Sequence, residues 1–421
     1  MTAGAAGGST GWRTDVLLYG ASTVFAVATA VAAAIPLQRA WGRTAVWGYG
    51  AATAVAAVGW LFGRRAEKPG LRWRVALAAA VFVVVAIVPL ATAATRRADV
   101  GAGSNAQSEV IIVEEAADAV LDGRNPYAAE YVDGPLAERP RPTQTHVPYP
   151  PGMLAFGVPR ALGGHSPWTD ARVWFAIASI AIALVSVRAI DASRHARLLV
   201  LQVLLVLPTG ALLLATGGTD VPVLALLLAT AVLAAGDRVT VAGVVGGLAL
   251  AVKQTSILFL PFVVLALPRG RARFLATAAI TSLALTVPLA LWDLGAFVED
   301  AILFPLGVGD GPSAAATPTL GSMLIDLVPS QRSALTMLLV AAMLAIVVVL
   351  LIPGVGASMS EACFRAAAAF VAVVALAPAA RVGYLTYPAS FVAWGVAFRS
   401  ADLEQPDEIE LHASGEHRGP T

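Results

Sequence analysis

Residues 108–152 read SEVIIVEEAADAVLDGRNPYAAEYVDGPLAERPRPTQTHVPYPPG, a polar stretch set into a chain that is otherwise a series of apolar runs. Membrane proteins keep few polar residues between spans unless those residues have work at the bilayer surface, so the stretch is expected to be an active-site loop. Its first half predicts a helix from Glu109 to about Asp122, because no Gly or Pro occurs until Gly123 and Pro126 supply a stop. At about 100° per residue, Val110, Ile112, Val113, Ala116, Ala117 and Val120 fall on one side. Glu114, Glu115, Asp118 and Asp122 gather on the other, the pattern of an amphipathic helix lying flat on a membrane with these acids as its solvated face. Glu109 instead shares a face with Val113, Ala116 and Val120, where its surroundings suit a base. A competing reading is an acid favoured by the helix dipole behind a Ser108 N-cap.

The second half is Pro-rich and extended, ending in HVPYPPG. His146 there is a candidate phosphate ligand or proton carrier, and equally an ordinary interfacial histidine. Tyr149 is of the type that anchors at a membrane interface.

Outward from this stretch, the 421 residues are 58 % hydrophobic and 13 % charged, with a mean hydropathy of +0.76. That balance excludes a soluble domain and predicts an all-α polytopic membrane protein of about eleven spans plus a half-helix hairpin. The net charge of +1 carries no nucleic-acid signal, and Cys363, the sole cysteine, excludes an intramolecular disulfide. No metal-ligand spacing, P-loop or dinucleotide fingerprint occurs, so no metal or cofactor is expected.

Residues 1–12 read as disordered and cytoplasmic, 13–94 as three spans without a cleaved leader, and 95–167 as the extracytoplasmic loop. Residues 168–398 read as a membrane core with an outer loop at 293–332, and 399–421 as a cytoplasmic tail. Arg64, Arg65, Lys68, Arg72 and Arg74 place the second link inside by the positive-inside rule, against Arg39 and Arg43 in the first. Both termini are then cytoplasmic and the 95–167 loop lies outside an inner (plasma) membrane. Glu299, Asp300 and Asp310 of the second outer loop are candidate acceptor contacts.

The apolar run from Val239 to Leu267 has Arg238 on one side and Arg269, Arg271 and Arg273 on the other. One tilted helix would leave the second basic cluster outside. Two half-length helices of roughly fourteen residues, each rising about 21 Å, return both clusters to the same side. The apex then falls at Lys253-Gln254-Thr255-Ser256, with Gly243, Gly246 and Gly247 allowing close packing of the first half. Lys253 becomes an intramembrane cation awaiting an anionic ligand, with simple snorkelling as the alternative. Asp220, in the TGGTD turn, reads either as an N-cap or as a site residue. Arg381, in ARVGYLTYP, is a second candidate for a phosphate or a lipid-facing arginine.

The string EVIIVEEAADAVLDGRNPY followed by HVPYPPG, with GGTD at 217–220 and AVKQT at 251–255, resembles GT-C-type membrane glycosyltransferases, and most nearly glycosyltransferase family 87. The order of features is similar from about residue 75 to 398, with the first two spans additional. The resemblance implies a GT-C-like fold with an outer-face amphipathic helix. It also implies inverting transfer of a sugar, mannose or another hexose or pentose, from a polyprenyl-phosphate donor to an envelope glycan or glycolipid. Glu109 would be the catalytic base, where the family usually has Asp. Lys253, Arg381 and His146 would bind the donor phosphate, and Glu115, Tyr127, Tyr149 and Asp220 would meet the acceptor or order the loop. The lipid-linked sugar is then substrate, the membrane lipid the surroundings, and no resident cofactor or nucleic acid is needed. A lipid or solute transporter is the alternative from a different class.

Overall fold

Long runs of Ala, Val and Leu leave a membrane-embedded backbone one economical way to satisfy its own donors and acceptors, the helix. The computed structural model describes residues 3–62, 70–307, 317–352, 356–378 and 380–404. Among them there are helices, turns and a single isolated bridge from Thr317 to Ala380, but no strand. Arg64, Arg65, Lys68, Asp310 and the tail beyond residue 404, all used in the topology above, lie outside the described residues.

Eight described helices are long and apolar enough to cross a membrane, fewer than the eleven or so expected. Three further apolar segments, Asp220–Ala235, Val239–Val252 and Gln254–Ala266, are shorter than a span needs. We number the principal helices α1 (Ala3–Ala32), α2 (Pro36–Phe62), α3 (Leu71–Val100), α4 (Ser108–Leu121), α5 (Ala171–Ala189) and α6 (Arg194–Thr216). Then follow α7 (Asp220–Ala235), α8 (Val239–Val252), α9 (Gln254–Ala266), α10 (Arg271–Ala290), α11 (Pro329–Leu351), α12 (Met359–Leu376) and α13 (Thr386–Glu404).

The two additional spans at the N-terminus are tied into the bundle by polar contacts. Arg74 of α3 grips Asp15 of α1 through two hydrogen bonds of 2.5 and 2.9 Å, and Gln202 of α6 donates to both Asp15 and Tyr19 at 3.0 Å. Trp41 Nε1 donates to the Val85 carbonyl and the Tyr49 hydroxyl to the Val206 carbonyl, both at 2.7 Å. Both acceptors sit in π-helical turns, Val83–Ile87 and Gln202–Val206, where the regular helical ladder is interrupted and carbonyls take outside donors. Arg74, expected at an exposed basic link, is therefore a buried member of this joint.

The run from Val239 to Leu267 is broken where the polar residues sit. Lys253 adopts an extended backbone (φ −155°, ψ 131°) between α8 and the 3-10 turn that opens α9, and the Ser256 hydroxyl donates to the Ala249 carbonyl at 2.9 Å to brace the corner. Val239 packs against Gly270, Gly243 against Phe274, and Gly247 against Ala278 and Thr281. This register makes α8 and α10 run in the same direction from the same end, so α9 must return to where α8 began. Gly270 turns the chain there at φ +74°, a left-handed conformation natural to glycine. A Cβ at Gly247 would stand 2.8 Å from the Thr281 Cβ. Gly247→Val is accordingly expected to force α8 off α10 and cost about 1–3 kcal/mol, lowering the melting temperature in detergent by a few degrees.

The apex of this hairpin meets the polar stretch. A Cβ at Gly152 would lie 2.6 Å from the Ala251 carbonyl, and Gln254 Nε2 donates to the Pro148 carbonyl at 3.2 Å. The turn at 217–219 and the segment leading into α13 gather at the same place, and we call this the loop end of the bundle.

Candidate active site

Lys253 lies at the loop end with 6 % of its surface exposed, and a buried ammonium needs a counter-charge. Its Nζ is 2.5 Å from Asp220 Oδ1 and donates to Thr219 Oγ1 at 3.0 Å. The Tyr387 hydroxyl donates to the same Asp220 oxygen at 2.7 Å and stands 2.8 Å from Thr255 Oγ1. The rings of Tyr149 and Tyr384 flank the ammonium, with centroids 5.8 and 5.6 Å away. The expectation that Lys253 waits for a ligand to neutralise it is corrected: Asp220, 33 residues earlier, does so. Asp220 is in turn no N-cap. Thr219 holds that position without a side-chain cap bond, and Asp220 is the first helical residue of α7.

Glu109 opens α4 one residue after Ser108, and the N-cap is Gln107, with no side-chain cap bond, rather than Ser108. The Glu109 carboxylate forms an ion pair with the Arg381 guanidinium, the two side chains being 16 % and 36 % exposed. The Arg381 carbonyl accepts the Tyr384 amide at 2.9 Å, in the turn that sets the Tyr384 ring beside Lys253. From the other side, Val110 packs against Gly217, in the turn that carries Thr219 and Asp220. Gly217 is at φ +99° and a Cβ there would collide with Val110 and crowd Arg172. Two acid–base pairs, Glu109–Arg381 and Asp220–Lys253, thus share one end of the bundle and are bridged by the 381–384 turn.

Glu114 overturns the solvated-face expectation. It is 3 % exposed, and α4 is enclosed over most of its circumference; Asp118 and Asp122 alone of that acidic group are exposed. Arg97 grips Glu114 in a fork, Nη1 to Oε1 at 2.9 Å and Nη2 to Oε2 at 2.6 Å. Arg160 Nε lies 3.2 Å from Oε2, and the Ala171 amide donates to Oε1 at 2.9 Å. Arg97 also reaches Asp170 at 3.0 Å, and Asp170 takes two further bonds from the Arg172 guanidinium at 2.8 and 2.7 Å. Burial works against the Asp170 charge, but the bonds and charge of Arg172, with Arg97 behind, hold its carboxyl down at about 2. This network fastens α4 to α3 and α5 and so fixes where Glu109 points. Arg97, Arg160, Asp170 and Arg172 carry no motif in the sequence; their one local signal is charge at or beside the ends of apolar runs.

His146 stacks on Phe304 with centroids 4.1 Å apart, and its Nδ1 lies 2.9 Å from Thr145 Oγ1. It packs between loops, half-buried. Tyr127 donates to the Tyr149 carbonyl at 2.9 Å and meets Phe297 edge to face, so its hydroxyl orders the loop. Glu115 is half-buried; burial, with the Asp118 and Glu114 charges adding, raises its carboxyl.

Asp300, 4 % exposed, accepts the Val147 amide at 2.8 Å and so pins residues 293–306 to the HVPYPPG segment. Burial pushes its carboxyl up to about 7, against the pull of the Val147 amide, with the Glu299 charge adding to the rise. A carboxyl raised from 3.8 binds its proton more tightly folded than unfolded, so its contribution is complete below 3.8 and is lost as pH rises through about 7. Thermal unfolding is expected to show falling stability across that window. Asp300→Asn, which keeps an oxygen for Val147, flattens this part of the profile.

Glycosyltransferase family 87 matches the chain over residues 147–377. The chain belongs to glycosyltransferase family 87. Its membrane-crossing helices make it a multi-pass membrane member of that family. No curated protein and no solved structure matches it. Within the family 87 match lie Tyr149, Asp220, Lys253 and Asp300; outside it lie Glu109, Arg381, Tyr384 and Tyr387. The case for the second group is the geometry at the loop end.

Proposed function

We propose that this family 87 enzyme transfers a sugar from a polyprenyl-phosphate donor to a hydroxyl of an envelope glycan or glycolipid, at the outer face of the plasma membrane and with inversion. The single observation that carries the reading is a half-buried carboxylate, Glu109, paired with Arg381 at the end of the apolar bundle where Lys253 is held by Asp220. Glu109 takes the acceptor proton as the acceptor oxygen bonds the anomeric carbon. The bond from that carbon to the phosphate oxygen breaks on the opposite face. The leaving group departs as a phosphate monoester whose charge the Arg381 guanidinium offsets, with Lys253, paired to Asp220, adding only its fixed field. Asp220, Thr219 and Tyr387 hold Lys253 in position, while Tyr127 and Tyr149 shape the loop and half-buried Glu115 is left to meet the acceptor.

An apolar groove of about 230 Å³ supports the lipid half of the reading. It runs between α4, residues 151–158 and α10, with Val120, Leu154, Leu285 and Leu289 among its walls, and begins at Gly152 beside the hairpin apex. Isoprene units match such walls in polarity, and the groove takes only the first of them next to the phosphate. Arg188, Arg194, Arg197, Arg271 and Arg273 lie at the ends of α5, α6 and α10 away from the loop end, which supports an outward-facing loop end. Family membership favours sugar transfer over the transporter alternative.

The test is transfer by the purified chain in proteoliposomes supplied with a polyprenyl-phosphate hexose and a membrane glycan extract. Release of polyprenyl phosphate with a glycan of inverted anomeric configuration is the expected result. Transfer from a nucleotide sugar, with the lipid-linked donor inert, overturns it.

A further inference from the structure

The two ion pairs of the site are held differently. Asp220–Lys253 is buried at both ends and tied in by Thr219, Tyr387 and Thr255. Glu109–Arg381 sits at the edge of the site, where a guanidinium 36 % exposed reaches from the 381–384 turn to the start of α4. A carboxylate engaged by a guanidinium has its lone pairs occupied and cannot at the same time accept a hydroxyl proton. A phosphodiester offers the same guanidinium two oxygens sharing one negative charge, a fork it can hold as it holds a carboxylate. Glu109 and the donor phosphate are therefore rivals for Arg381.

We propose that the Glu109–Arg381 ion pair is a latch opened by the phosphate of the lipid donor, so that the base is freed only once the donor is seated. The inference rests on the reading of Glu109 as base and Arg381 as phosphate ligand. Its consequence is a compulsory order: an acceptor hydroxyl that arrives first meets a carboxylate already engaged. Water meets the same engaged carboxylate between turnovers. The Asp220–Lys253 pair, locked by its neighbours, stays closed and supplies a fixed field.

The test is binding of polyprenyl monophosphate, which has no sugar to transfer, to the full chain in nanodiscs, with the corresponding polyprenyl alcohol as a tail-only control. Glu109→Gln removes the rival charge while keeping an oxygen for Arg381, and is expected to tighten monophosphate binding about two- to fivefold, the scale of a half-exposed ion pair. Alcohol binding stays unchanged, and Arg381→Gln weakens monophosphate binding. Unchanged or weaker monophosphate binding by Glu109→Gln overturns the latch, as does equal tightening for the alcohol. Turnover separates the two readings. Lost turnover with unchanged affinity removes the latch and leaves Glu109 as base. Tightened binding with undiminished turnover removes Glu109 as base, and with it the gating.

Discussion

Glu109→Gln is expected to lower sugar transfer by about 10²–10⁴-fold while leaving the protein folded. Glutamine matches glutamate in length and keeps a carbonyl oxygen for the Arg381 guanidinium, so the start of α4 and the 381–384 turn stay in contact. What disappears is the ability to accept a proton, and with it the acid limb of the pH–rate profile. The residue enters the site from a helix whose next residue, Val110, is fully buried against Gly217, so its Cα has little room to shift. Glu109→Asp retracts the carboxylate by one methylene and should retain part of the activity with a weakened hold on Arg381. Transfer from purified lipid donor by Glu109→Gln at the rate of the unaltered chain would falsify the assignment.

Replacing Glu114 by alanine is expected to cost about 3–5 kcal/mol, the cost of leaving buried charge without a partner. Arg97 and Arg160 would keep their positions at 1 % and 7 % exposure with a shared counter-charge removed, and the Ala171 amide would lose its acceptor. Asp170 remains beside Arg97 but is already bound twice by Arg172. The expected readout is a melting temperature lowered by many degrees, with early proteolysis in residues 101–170. Glu114→Gln, which keeps two hydrogen-bonding atoms, should fall between. A melting temperature for Glu114→Ala within a degree of the unaltered chain would show that α4 is held by its apolar contacts alone. Glu115→Ala, one residue on, provides the contrast: a half-buried side chain whose loss should cost far less.

The differing fates of Glu109 and Glu114 show how far a helical period reaches. The 100° step assigns each residue to a side of its own helix, and it separated Glu109 from the acids that follow. It says nothing of what stands opposite. Glu114 counted as solvated because it fell among acids, but the facing surfaces are Arg97, 17 residues earlier, and the 160–171 segment far downstream. The same holds for Lys253: a lone intramembrane cation is visible in a sequence, whereas Asp220 and Tyr387, 33 and 134 positions away, are brought to it by the packing of α7 and α13.

Local chemistry was enough to determine the helical class, the break at Lys253 and the bounds of α4. Apolar runs must satisfy their own backbone, a polar tetrad between basic clusters forces a return, and Gly123 and Pro126 end a helix wherever it sits. Only the tertiary structure decided which acid neutralises which cation, that the N-terminal spans are bolted on through Asp15, Arg74 and Gln202, and that His146 stacks on Phe304. Charge pairing acts through space across a few ångströms, and the partners in this site are separated along the chain by as many as 272 residues, from Glu109 to Arg381.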